Sequence, residues 1–384
     1  MDSLAGGGAE RAAATLANFW ALKGWQVTLV TLAPIEDDFY PLNPGIKRIS
    51  LTLAGDSEHV LKAVLQNIRR VAALRRLLVK HRPAIALAMM STPNVLLALA
   101  SRGIAGLQSI GSERCYPPHA PIGRAWHTLR KIMYGRLSSV VALTTECAQW
   151  IESHTLARRV PVIPNAIAFP LPDNIPRILP ATLCGQGRKV LLAVGRLDPV
   201  KNFVALLHAF AQVAQRYPEW DLVILGEGPQ RPLLESIVRS KRLDRRVFLP
   251  GIAGNVGNWY ARASLFAMTS LSEGFPNALA EALAHGLPAV SVDCDTGPRD
   301  IIRHDVDGLL VPPHDPGALV AALAGVMGDP ALRSRLALRA GEAAERFCLE
   351  KVAAMWESLF AELSVDAPQA LGRRGVPPPE RAGS

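Results

Sequence analysis

Short apolar runs recur along the second half of the chain, and each is followed by glycine or polar residues and then by an amphipathic stretch. Apolar runs without polar alternation are typical of parallel strands that are buried on both faces. The amphipathic stretches predict helices, so this half is expected to alternate strands and helices around a parallel sheet. The predicted strands lie at 190–195, 221–225, 246–251, 265–268 and 287–292.

The first half of the chain has a similar but weaker pattern. A helix is predicted from the glycine-rich segment 6–11 to about Lys23, and a basic amphipathic helix is predicted at 60–82. Two further helices are predicted close to the C-terminus, at 316–327 and 332–363. The strands and strand-like segments expected in the first half are 25–31, 85–90, 109–114, 140–143 and 160–164.

The two sets of strands predict an α/β protein with two Rossmann-like domains that face each other across a cleft. A length of 384 residues is typical of two domains of ordinary size. Trp356 and Phe360 are the apolar residues expected to bring a C-terminal helix back onto the N-terminal domain. The expected segments are an N-terminal domain at 1–167, a linker at 168–187, a C-terminal domain at 188–345, the returning helix at 346–364 and a disordered tail at 365–384.

Composition limits the class of protein without identifying it. Hydrophobic residues make up 49% of the chain, which is enough for two cores. The 5 cysteines are far apart and odd in number, as expected of reduced thiols in a cytosol rather than of a disulfide framework. The longest apolar stretches are too short to cross a membrane, and the N-terminus lacks the pattern of a signal peptide. A cytoplasmic location is therefore expected.

Glycine and basic residues follow the first two predicted strands of the C-terminal domain. Gly195, Arg196 and Lys201 come after the first strand, and Gly226 follows the second. Ligands of open parallel sheets bind beyond the carboxyl ends of the strands, which is where these residues lie. Arginine binds phosphate through a bidentate fork, and lysine supplies a mobile point charge. This edge of the sheet is therefore predicted to bind a phosphate-bearing ligand.

Two glutamates flank a predicted helix start further along the chain. Glu273 precedes the segment 274–279, and Glu281 lies just inside the helix. The free N–H groups and the dipole of a helix start favour phosphate, and nearby carboxylates accept hydrogen bonds from hydroxyls. The pattern suits a ligand built from a sugar, a diphosphate and a ribose. Taken alone, the segment is equally compatible with a capped amphipathic helix that carries a solvated glutamate.

Together these motifs resemble the donor domain of family 4 retaining glycosyltransferases, which have the two-domain GT-B fold. The resemblance extends over about 189–313, and its motifs occur in the same order as in the family. The matching segments are Gly195-Arg196-Leu197 with Lys201, Gly226-Glu227-Gly228-Pro229, Glu273 and Glu281 with seven residues between them, and Asp307-Gly308-Leu309-Leu310-Val311-Pro312.

The resemblance implies a role for each of these residues. Arg196 and Lys201 are expected to bind the donor diphosphate, Glu273 to contact hydroxyls of the donor sugar, and Glu281 to bind the ribose. Arg196, Lys201 and Glu273 are the catalytic candidates of this domain. The full set of expected donor contacts is Gly7, Gly8, Arg196, Lys201, Gly226, Glu273, Gly274, Phe275, Pro276, Asn277, Ala278, Leu279 and Glu281.

No metal or cofactor is expected, because the two cations and the helix start are sufficient to stabilise a leaving diphosphate. Asp293 and Asp295 have the spacing of a magnesium motif, but they follow a donor-domain strand at 289–292, and a metal role there is disfavoured. The resemblance implies retention of anomeric configuration. The leaving diphosphate is expected to take the proton of the acceptor hydroxyl.

The segment Gly6-Gly7-Gly8-Ala9-Glu10-Arg11 matches the Gly-Gly-Ala-Glu-Arg signature of the family's acceptor domain. Its glycines allow the backbone to approach the sugar diphosphate closely. In the family this loop follows a buried first strand, but here only residues 1–5 precede it. We therefore expect the first strand of the N-terminal domain to be missing, and we favour a chain that begins late relative to its true start.

Two acids of the N-terminal domain have two open interpretations each. Glu113 is expected to lie on a loop that faces the cleft and to orient the acceptor as a catalytic residue. A salt bridge from Glu113 to Arg114 or to another neighbour is the alternative. Glu10 is either a residue of the cleft or an acid that complements the dipole at a helix start.

The net charge of +9 is concentrated in part on the helix predicted at 60–82. Cations on an amphipathic helix suit an anionic membrane surface or a diphosphate-linked acceptor, and a solvated helix face is the alternative. The sequence contains no recognisable nucleic-acid-binding module, so no nucleic acid partner is expected. The four cations singled out for an acceptor or membrane role are Arg69, Arg70, Arg75 and Arg76.

The sequence therefore predicts a retaining transferase that moves a hexose or N-acetylhexosamine from a nucleotide sugar to a lipid-linked or polysaccharide acceptor. Resemblance to bacterial transferases of lipid-linked oligosaccharides and exopolysaccharides implies UDP as the nucleotide and a polyprenyl-diphosphate-linked or other glycan as acceptor. A peripheral position on the inner face of the cytoplasmic membrane is expected. The alternatives are a sugar-nucleotide epimerase of the same fold and a sugar-nucleotide-binding protein without activity.

Overall fold

A computed structural model of the chain describes residues 1–55 and 60–365. The described residues form two Rossmann-like α/β units, which confirms the predicted fold class. The predicted tail at 365–384 lies outside the described residues, apart from Val365.

The C-terminal domain is built on a parallel sheet of 6 strands in the order β11-β10-β9-β6-β7-β8. All five strands predicted for this half are present, and the Gly308–Val311 segment adds an edge strand. The strands are β6 (Lys189–Val194), β7 (Trp220–Leu225), β8 (Val247–Gly251), β9 (Leu265–Met268), β10 (Ala289–Val292) and β11 (Gly308–Val311).

Helices cover both faces of this sheet. Successive residues of one strand pack on opposite faces, because side chains alternate along a strand. Leu191 belongs to one apolar cluster, whereas Val190 and Leu192 belong to the other. This two-sided burial explains the continuous apolar runs of the sequence. The helices of this domain are α6 (Pro180–Leu183), α7 (Phe203–Val213), α8 (Arg231–Ser240), α9 (Val256–Arg262), α10 (Asn277–Ala284), α11 (Pro298–Ile301), α12 (Pro316–Gly328), α13 (Pro330–Ala340) and α14 (Glu342–Arg346). Helix α15 (Leu349–Val365) follows them along the chain.

The strand order reverses between β6 and β9, the two central strands. The chain runs from β6 through β7 to β8 in one direction and then returns to β9 on the other side of β6. Loops that leave two such strands diverge and open a crevice, which is where ligands of these sheets bind. Of the predicted donor residues, Arg196 and Lys201 lie in the loop after β6, and Glu273 lies in the loop after β9.

The N-terminal domain has two separate parallel sheets, β1-β2 and β3-β4-β5. Among the described residues no strand precedes the first helix, in agreement with the expected missing strand. Residues 1–4 run alongside the end of β1, where the amide of Ala33 donates to the carbonyl of Asp2 at 2.8 Å. The elements are α1 (Gly8–Leu22), β1 (Thr28–Thr31), β2 (Lys47–Ser50), α2 (Val60–His81), β3 (Ile85–Met89), α3 (Ser91–Ala100), β4 (Gln108–Ser112), α4 (Arg124–Met133), β5 (Ser139–Val141) and α5 (Thr145–His154).

Helix α15 packs on the N-terminal domain. Trp356 and Phe360, the two residues expected at this contact, share an apolar cluster with Trp20 of α1. The single helix predicted at 332–363 is wrong, because the chain forms α13, α14 and α15 in succession. The helical path breaks where the carbonyl of Phe347 accepts a hydrogen bond from the amide of Ile167 at 2.9 Å, which ties this point to the linker.

The Asp307-Gly308 motif has a structural explanation. The Asp307 side chain is fully buried and accepts hydrogen bonds from the Nε of Arg303 at 2.7 Å and from Arg346 at 3.1 Å. A side chain at Gly308 would place its Cβ 2.7 Å from the carbonyl oxygen of Ala289 on the neighbouring strand. The motif therefore fixes the edge of the sheet to the helices behind it.

We expect Asp307→Asn to lower the free energy of unfolding by about 2–3 kcal/mol, because two arginines lose a buried carboxylate. The measurement is urea unfolding followed by circular dichroism. Asp305→Asn is the matched control, since Asp305 forms an exposed pair with Arg335 and asparagine tolerates its positive φ. Equal destabilisation by the two variants would contradict the structural role of Asp307.

Candidate active site

The loops after β6 and β9 meet in an ion pair. The Nζ of Lys201 lies 2.6 Å from Oε1 of Glu273, and the Ser270 hydroxyl donates to the same oxygen at 2.6 Å. Both charged side chains are mostly buried, at 26% and 10% exposure. Lys201 ends a short 3-10 turn, Pro199–Lys201, which the Asp198 side chain caps by accepting from the Lys201 amide. The predicted phosphate cation and the predicted sugar acid thus form one unit.

Arg196 stands beside this pair but is held differently. Its Nε donates to Asp198 at 2.7 Å, and its side chain is 76% exposed. Asp198 therefore anchors both the arginine and the turn that carries Lys201. The exposed guanidinium remains accessible to an anionic ligand, in keeping with the role expected for Arg196.

Two glycine turns pack backbone to backbone beneath these cations. Gly226 has a φ of +141°, and a Cβ there would lie 2.0 Å from the carbonyl oxygen of Gly195. A Cβ at Gly228 would lie 2.4 Å from the carbonyl oxygen of Leu197. Only glycine fits such close approaches. Gly226 therefore positions the loop that carries Arg196.

The segment between the two glutamates leads into α10, which begins at Asn277. Phe275 and Leu279 are buried in the apolar cluster behind the helix, so only their backbone groups are available to a ligand. The side chain of Asn277 accepts a hydrogen bond from Asn165 of the N-terminal domain at 3.0 Å. A Cβ at Gly8 would lie 3.5 Å from the side-chain nitrogen Nδ2 of Asn277. The segments 6–11 and 274–279, both predicted to bind the donor, therefore face each other across the domains.

Gly7 sits at the start of α1. Its carbonyl accepts a hydrogen bond from the Tyr40 hydroxyl at 3.0 Å. A Cβ at Gly7 would collide with the carboxylate of Glu10, at 2.2 Å from Oε2. Glu10 thus folds back over the first turn of its own helix, which favours its interpretation as an acid that complements the helix dipole.

Glu281 is buried and has two partners that the sequence did not assign. Arg11, in the first turn of α1, donates to it at 2.8 Å, and the hydroxyl of Tyr260 lies 3.2 Å from its other oxygen. Burial, followed by the Glu281 carboxylate, raises the pKa of Tyr260 well above its usual range, so Tyr260 remains a donor. The signal for Arg11 was its place in the Gly-Gly-Ala-Glu-Arg segment. The acid expected to bind ribose therefore pairs with an arginine from the opposite domain.

The structure contradicts the expectation that Glu113 faces the cleft. Its side chain is fully buried and accepts hydrogen bonds from Ser91 at 2.7 Å and from Tyr134. Burial raises the pKa of Glu113, although these hydrogen bonds oppose the shift. The alternative salt bridge between Glu113 and Arg114 is also wrong, since Arg114 donates instead to Asn165 and Ser112. Glu113 holds the interior of the N-terminal domain together.

The four arginines expected on α2 divide into two pairs. Arg70 donates to the carbonyls of Leu53 at 2.9 Å and Gly55 at 2.7 Å, so it fixes a loop. Arg75 donates to the carbonyls at the end of α3, at 2.9 and 2.6 Å. These contacts give Arg70 and Arg75 a structural role. Arg69 and Arg76 are exposed and remain candidates for an acceptor or a membrane.

The aspartates of the magnesium-like motif have other partners. Asp293 binds Arg299 through two hydrogen bonds of 3.0 Å each, and Asp295 lies 2.6 Å from the Nε2 of His119. Across residues 1–55 and 60–365 no group of three acidic, histidine or cysteine side chains is arranged to hold a metal.

Two family models match the chain, one for each half. Residues 6–168 match the model described as "Glycosyltransferase Family 4". Residues 188–329 match the model described as "Glycosyl transferases group 1". The matches cover the two Rossmann-like domains, and the boundary between them falls at the predicted linker.

Curated relatives support the same assignment. The chain is 27% identical to the amylovoran biosynthesis glycosyltransferase AmsD of Erwinia amylovora, over 92% of the chain and 96% of the relative. It is 28% identical to an α-1,4-N-acetyl-D-galactosaminyltransferase of Campylobacter jejuni, over 94% of the chain and 97% of the relative. The name of that enzyme gives a diphosphoundecaprenol-linked glycan as its acceptor. It is 38% identical to an exopolysaccharide phosphotransferase of Streptomyces coelicolor over 59% of the chain. The chain spans only 24% of this relative's length.

Solved structures have the same architecture. Sucrose-phosphate synthase from Thermosynechococcus elongatus superposes with a TM-score of 0.77 at 21% identity, over 94% of each chain. HepE from Anabaena, solved in complex with UDP, gives a TM-score of 0.75 at 19% identity, over 94% of this chain and 98% of HepE. At these identities the likeness establishes the fold.

The Arg11–Glu281 pair is expected to stabilise the contact between the domains. A double-mutant cycle of Arg11→Ala and Glu281→Ala, measured by chemical unfolding, should give a coupling free energy of about 1–3 kcal/mol, because the Glu281 carboxylate is buried. The control cycle uses Lys23 and Glu357, an exposed pair of 2.8 Å. That pair should couple by about 1 kcal/mol or less. A smaller coupling free energy for Arg11 and Glu281 than for the control pair would contradict a role of this pair in stabilising the contact between the domains.

Proposed function

The chain belongs to the family 4 glycosyltransferases, and we propose that it is a retaining enzyme of cell-surface glycan biosynthesis. It has the GT-B fold. In this proposal it moves a hexose or N-acetylhexosamine from a UDP-sugar to a lipid-linked or polysaccharide acceptor.

One observation carries the proposal: Lys201 and Glu273, from the two loops that diverge at the reversal of strand order, form one ion pair. A phosphate-binding cation and a hydroxyl-binding acid held together in this way suit the junction between a diphosphate and a sugar. Glu281 lies eight positions beyond Glu273 and supplies a carboxylate for the ribose. The complex of HepE with UDP supports the choice of nucleotide, since HepE has the same fold.

In the proposed reaction the bond between the anomeric carbon and the diphosphate breaks while the acceptor oxygen bonds to that carbon on the same face. Arg196, Lys201 and the N–H groups at the start of α10 stabilise the charge that develops on the leaving diphosphate. A diphosphate oxygen takes the proton of the acceptor hydroxyl. Glu273 holds the sugar hydroxyls and keeps Lys201 oriented, so this reaction requires no separate protein base.

A panel assay separates the three functions considered for the chain. The protein is incubated with UDP-sugars and a polyprenyl-diphosphate-linked acceptor, and the products are identified by mass spectrometry and NMR. Transfer of sugar with retained configuration supports the transferase. Inversion at C2 of the donor sugar supports the epimerase, and binding without reaction supports the non-catalytic alternative.

The two glutamates should differ in their effects on free UDP. We expect Glu281→Ala to weaken UDP binding by about 1.5–3 kcal/mol, because the ribose loses a hydrogen bond to a charged group. Glu273→Ala should reduce transfer with a smaller loss of UDP affinity, because Glu273 binds the donor sugar in this proposal and reaches the diphosphate only through Lys201. Isothermal titration calorimetry and transfer rates measure the two effects. Equal losses of UDP affinity would contradict the proposed division of roles.

A peripheral membrane position is part of the proposal. Among residues 1–55 and 60–365, no helix is both long and apolar enough to cross a membrane. Helix α2 nevertheless exposes large apolar side chains, including Leu61 at 85% and Ile68 at 59%. Arg69 and Arg76 lie on the same helix. Exposed apolar and basic residues together suit the surface of an anionic bilayer.

We expect Arg69→Gln with Arg76→Gln to weaken binding to vesicles of anionic phospholipid by about 2 kcal/mol at low salt, since each cation near the surface contributes about 1 kcal/mol. Sedimentation with vesicles measures the loss. The matched control replaces Arg239 and Lys241, two exposed cations at the end of α8, with glutamine. Equal losses in both variants would indicate attraction by net charge alone, and UDP affinity should be unchanged in each.

A further inference from the structure

A second groove lies between the domains, on the side of α5. It is formed by α5 of the N-terminal domain and by the segment 293–299, which follows β10 of the C-terminal domain. Its volume is about 470 Å³, within the range of small-molecule sites. The lining residues are Tyr116, Glu146, Gln149, Trp150, Ser153, His154, Asp295 and Arg299.

Aromatic rings form one wall of this groove. Trp150 and His154 stack with their ring centroids 4.6 Å apart and an angle of 5° between their planes. The guanidinium of Arg130, which is buried, lies 4.8 Å from the Trp150 ring and holds it in place. Tyr116 lines the groove nearby. His154 and Arg130 therefore cover the two faces of the Trp150 ring. The outer face of the exposed His154 ring and the ring of Tyr116 remain to contact the C–H face of a sugar.

Polar side chains form the other wall. Asp293 fixes the guanidinium of Arg299 by two hydrogen bonds, and Arg299 also lies 3.6 Å from Glu146. Glu146 and Asp300 form a close carboxyl pair, and burial, with Asp300 adding to it, raises the pKa of Glu146. Their oxygens Oε2 and Oδ2 are buried, so neither is exposed to the groove. Asp295 adds a largely exposed carboxylate at the rim. Carboxylates and a guanidinium held at fixed positions are suited to binding the hydroxyls of a sugar.

The charge of this groove indicates which ligand it suits. Glu146, Asp293, Asp295 and Asp300 surround Arg299, so acidic side chains outnumber arginine and lysine here. A diphosphate would be repelled by such a set, because like charges at short range oppose binding. A neutral ligand with many hydroxyls is compatible with it. The groove therefore differs in charge from the site of Arg196 and Lys201.

The groove adjoins the segment 274–279, which belongs to the proposed donor site. The buried hydroxyls of Thr144 and Thr296 meet at 2.6 Å and join the two domains between Glu146 and Asp295, which line the groove, and the rest of the C-terminal domain. Gly297 follows directly, and a Cβ there would lie 2.6 Å from the ring of Pro276. The segment that lines the groove therefore backs onto the segment that precedes α10.

We propose that this groove binds a neutral sugar residue of the acceptor glycan, next to the proposed site of the donor sugar. This proposal rests on the proposed transferase function. It adds to that function the chemical class of the acceptor residue and the position at which it binds. The rings of His154 and Tyr116 bind the apolar face of the sugar, and Trp150 stacks beneath His154. The sugar hydroxyls are bound by Glu146, Asp295 and Arg299. The diphosphate of a lipid-linked acceptor lies outside this groove.

The test uses the full chain labelled with 5-fluorotryptophan and saturated with UDP. The ¹⁹F resonance of Trp150 is identified by its loss in Trp150→Phe. Methyl glycosides of galactose, glucose, N-acetylgalactosamine and N-acetylglucosamine are titrated separately, and inorganic pyrophosphate is titrated in parallel. At least one glycoside is expected to shift the Trp150 resonance. Pyrophosphate is expected to leave that resonance unchanged, and no ligand is expected to shift the resonance of the buried Trp220.

Matched variants on α5 complete the test. Glu146→Gln is expected to weaken glycoside binding about tenfold, because a charged hydrogen-bond partner is lost. Glu152→Gln, the same change at an exposed position of the same helix, should have no effect. The proposal is overturned if no glycoside shifts Trp150 up to about 100 mM, far above the millimolar range of weak binding. It is also overturned if pyrophosphate causes the shift or if the two variants bind equally.

Calorimetry with UDP separates the failure of this inference from failure of the proposed function. Normal UDP binding combined with no glycoside response removes the groove and leaves the donor site intact. If the wild-type chain does not bind UDP, the proposed function is overturned. A shift of the Trp150 resonance by a glycoside would in that case still support a sugar-binding groove.

Discussion

The ion pair between Lys201 and Glu273 is the contact on which the proposed chemistry depends. It forms because the strand order reverses between β6 and β9, so their loops diverge over one crevice. Asp198 accepts a hydrogen bond from the backbone amide of Lys201, and the Ser270 hydroxyl donates to the Glu273 carboxylate. The glycine turns beneath them leave no room for a Cβ, and so they keep the loop of Arg196 in place.

Charge is distributed unevenly between the two faces of the interdomain cleft. The donor side combines Arg196 and Lys201 with glutamates, and Arg11 reaches it from the opposite domain to bind Glu281. The groove beside α5 is predominantly acidic and aromatic. This separation suits a donor that carries a diphosphate and an acceptor sugar that carries none.

The sequence was sufficient for features that depend on neighbours along the chain. Apolar runs predicted the strands of the C-terminal domain, and the order of motifs predicted the family. Features set by distant contacts were missed. Glu113 lies in a polar loop by sequence, yet Ser91 and Tyr134 enclose it. Arg70 and Arg75 have the spacing of a solvated helix face, but backbone carbonyls of other segments bind them. The break at Phe347 likewise depends on Ile167.

The most direct measurement of the central claim is a double-mutant cycle of Lys201→Met and Glu273→Gln, read out as kcat/KM for sugar transfer. If the two side chains act as one unit on the donor, their effects should be non-additive by about 1–3 kcal/mol. The remote exposed pair of Lys189 and Glu219 provides the reference for no coupling in transfer. Additive losses at Lys201 and Glu273 would contradict the account, because the pair would then not act as a unit.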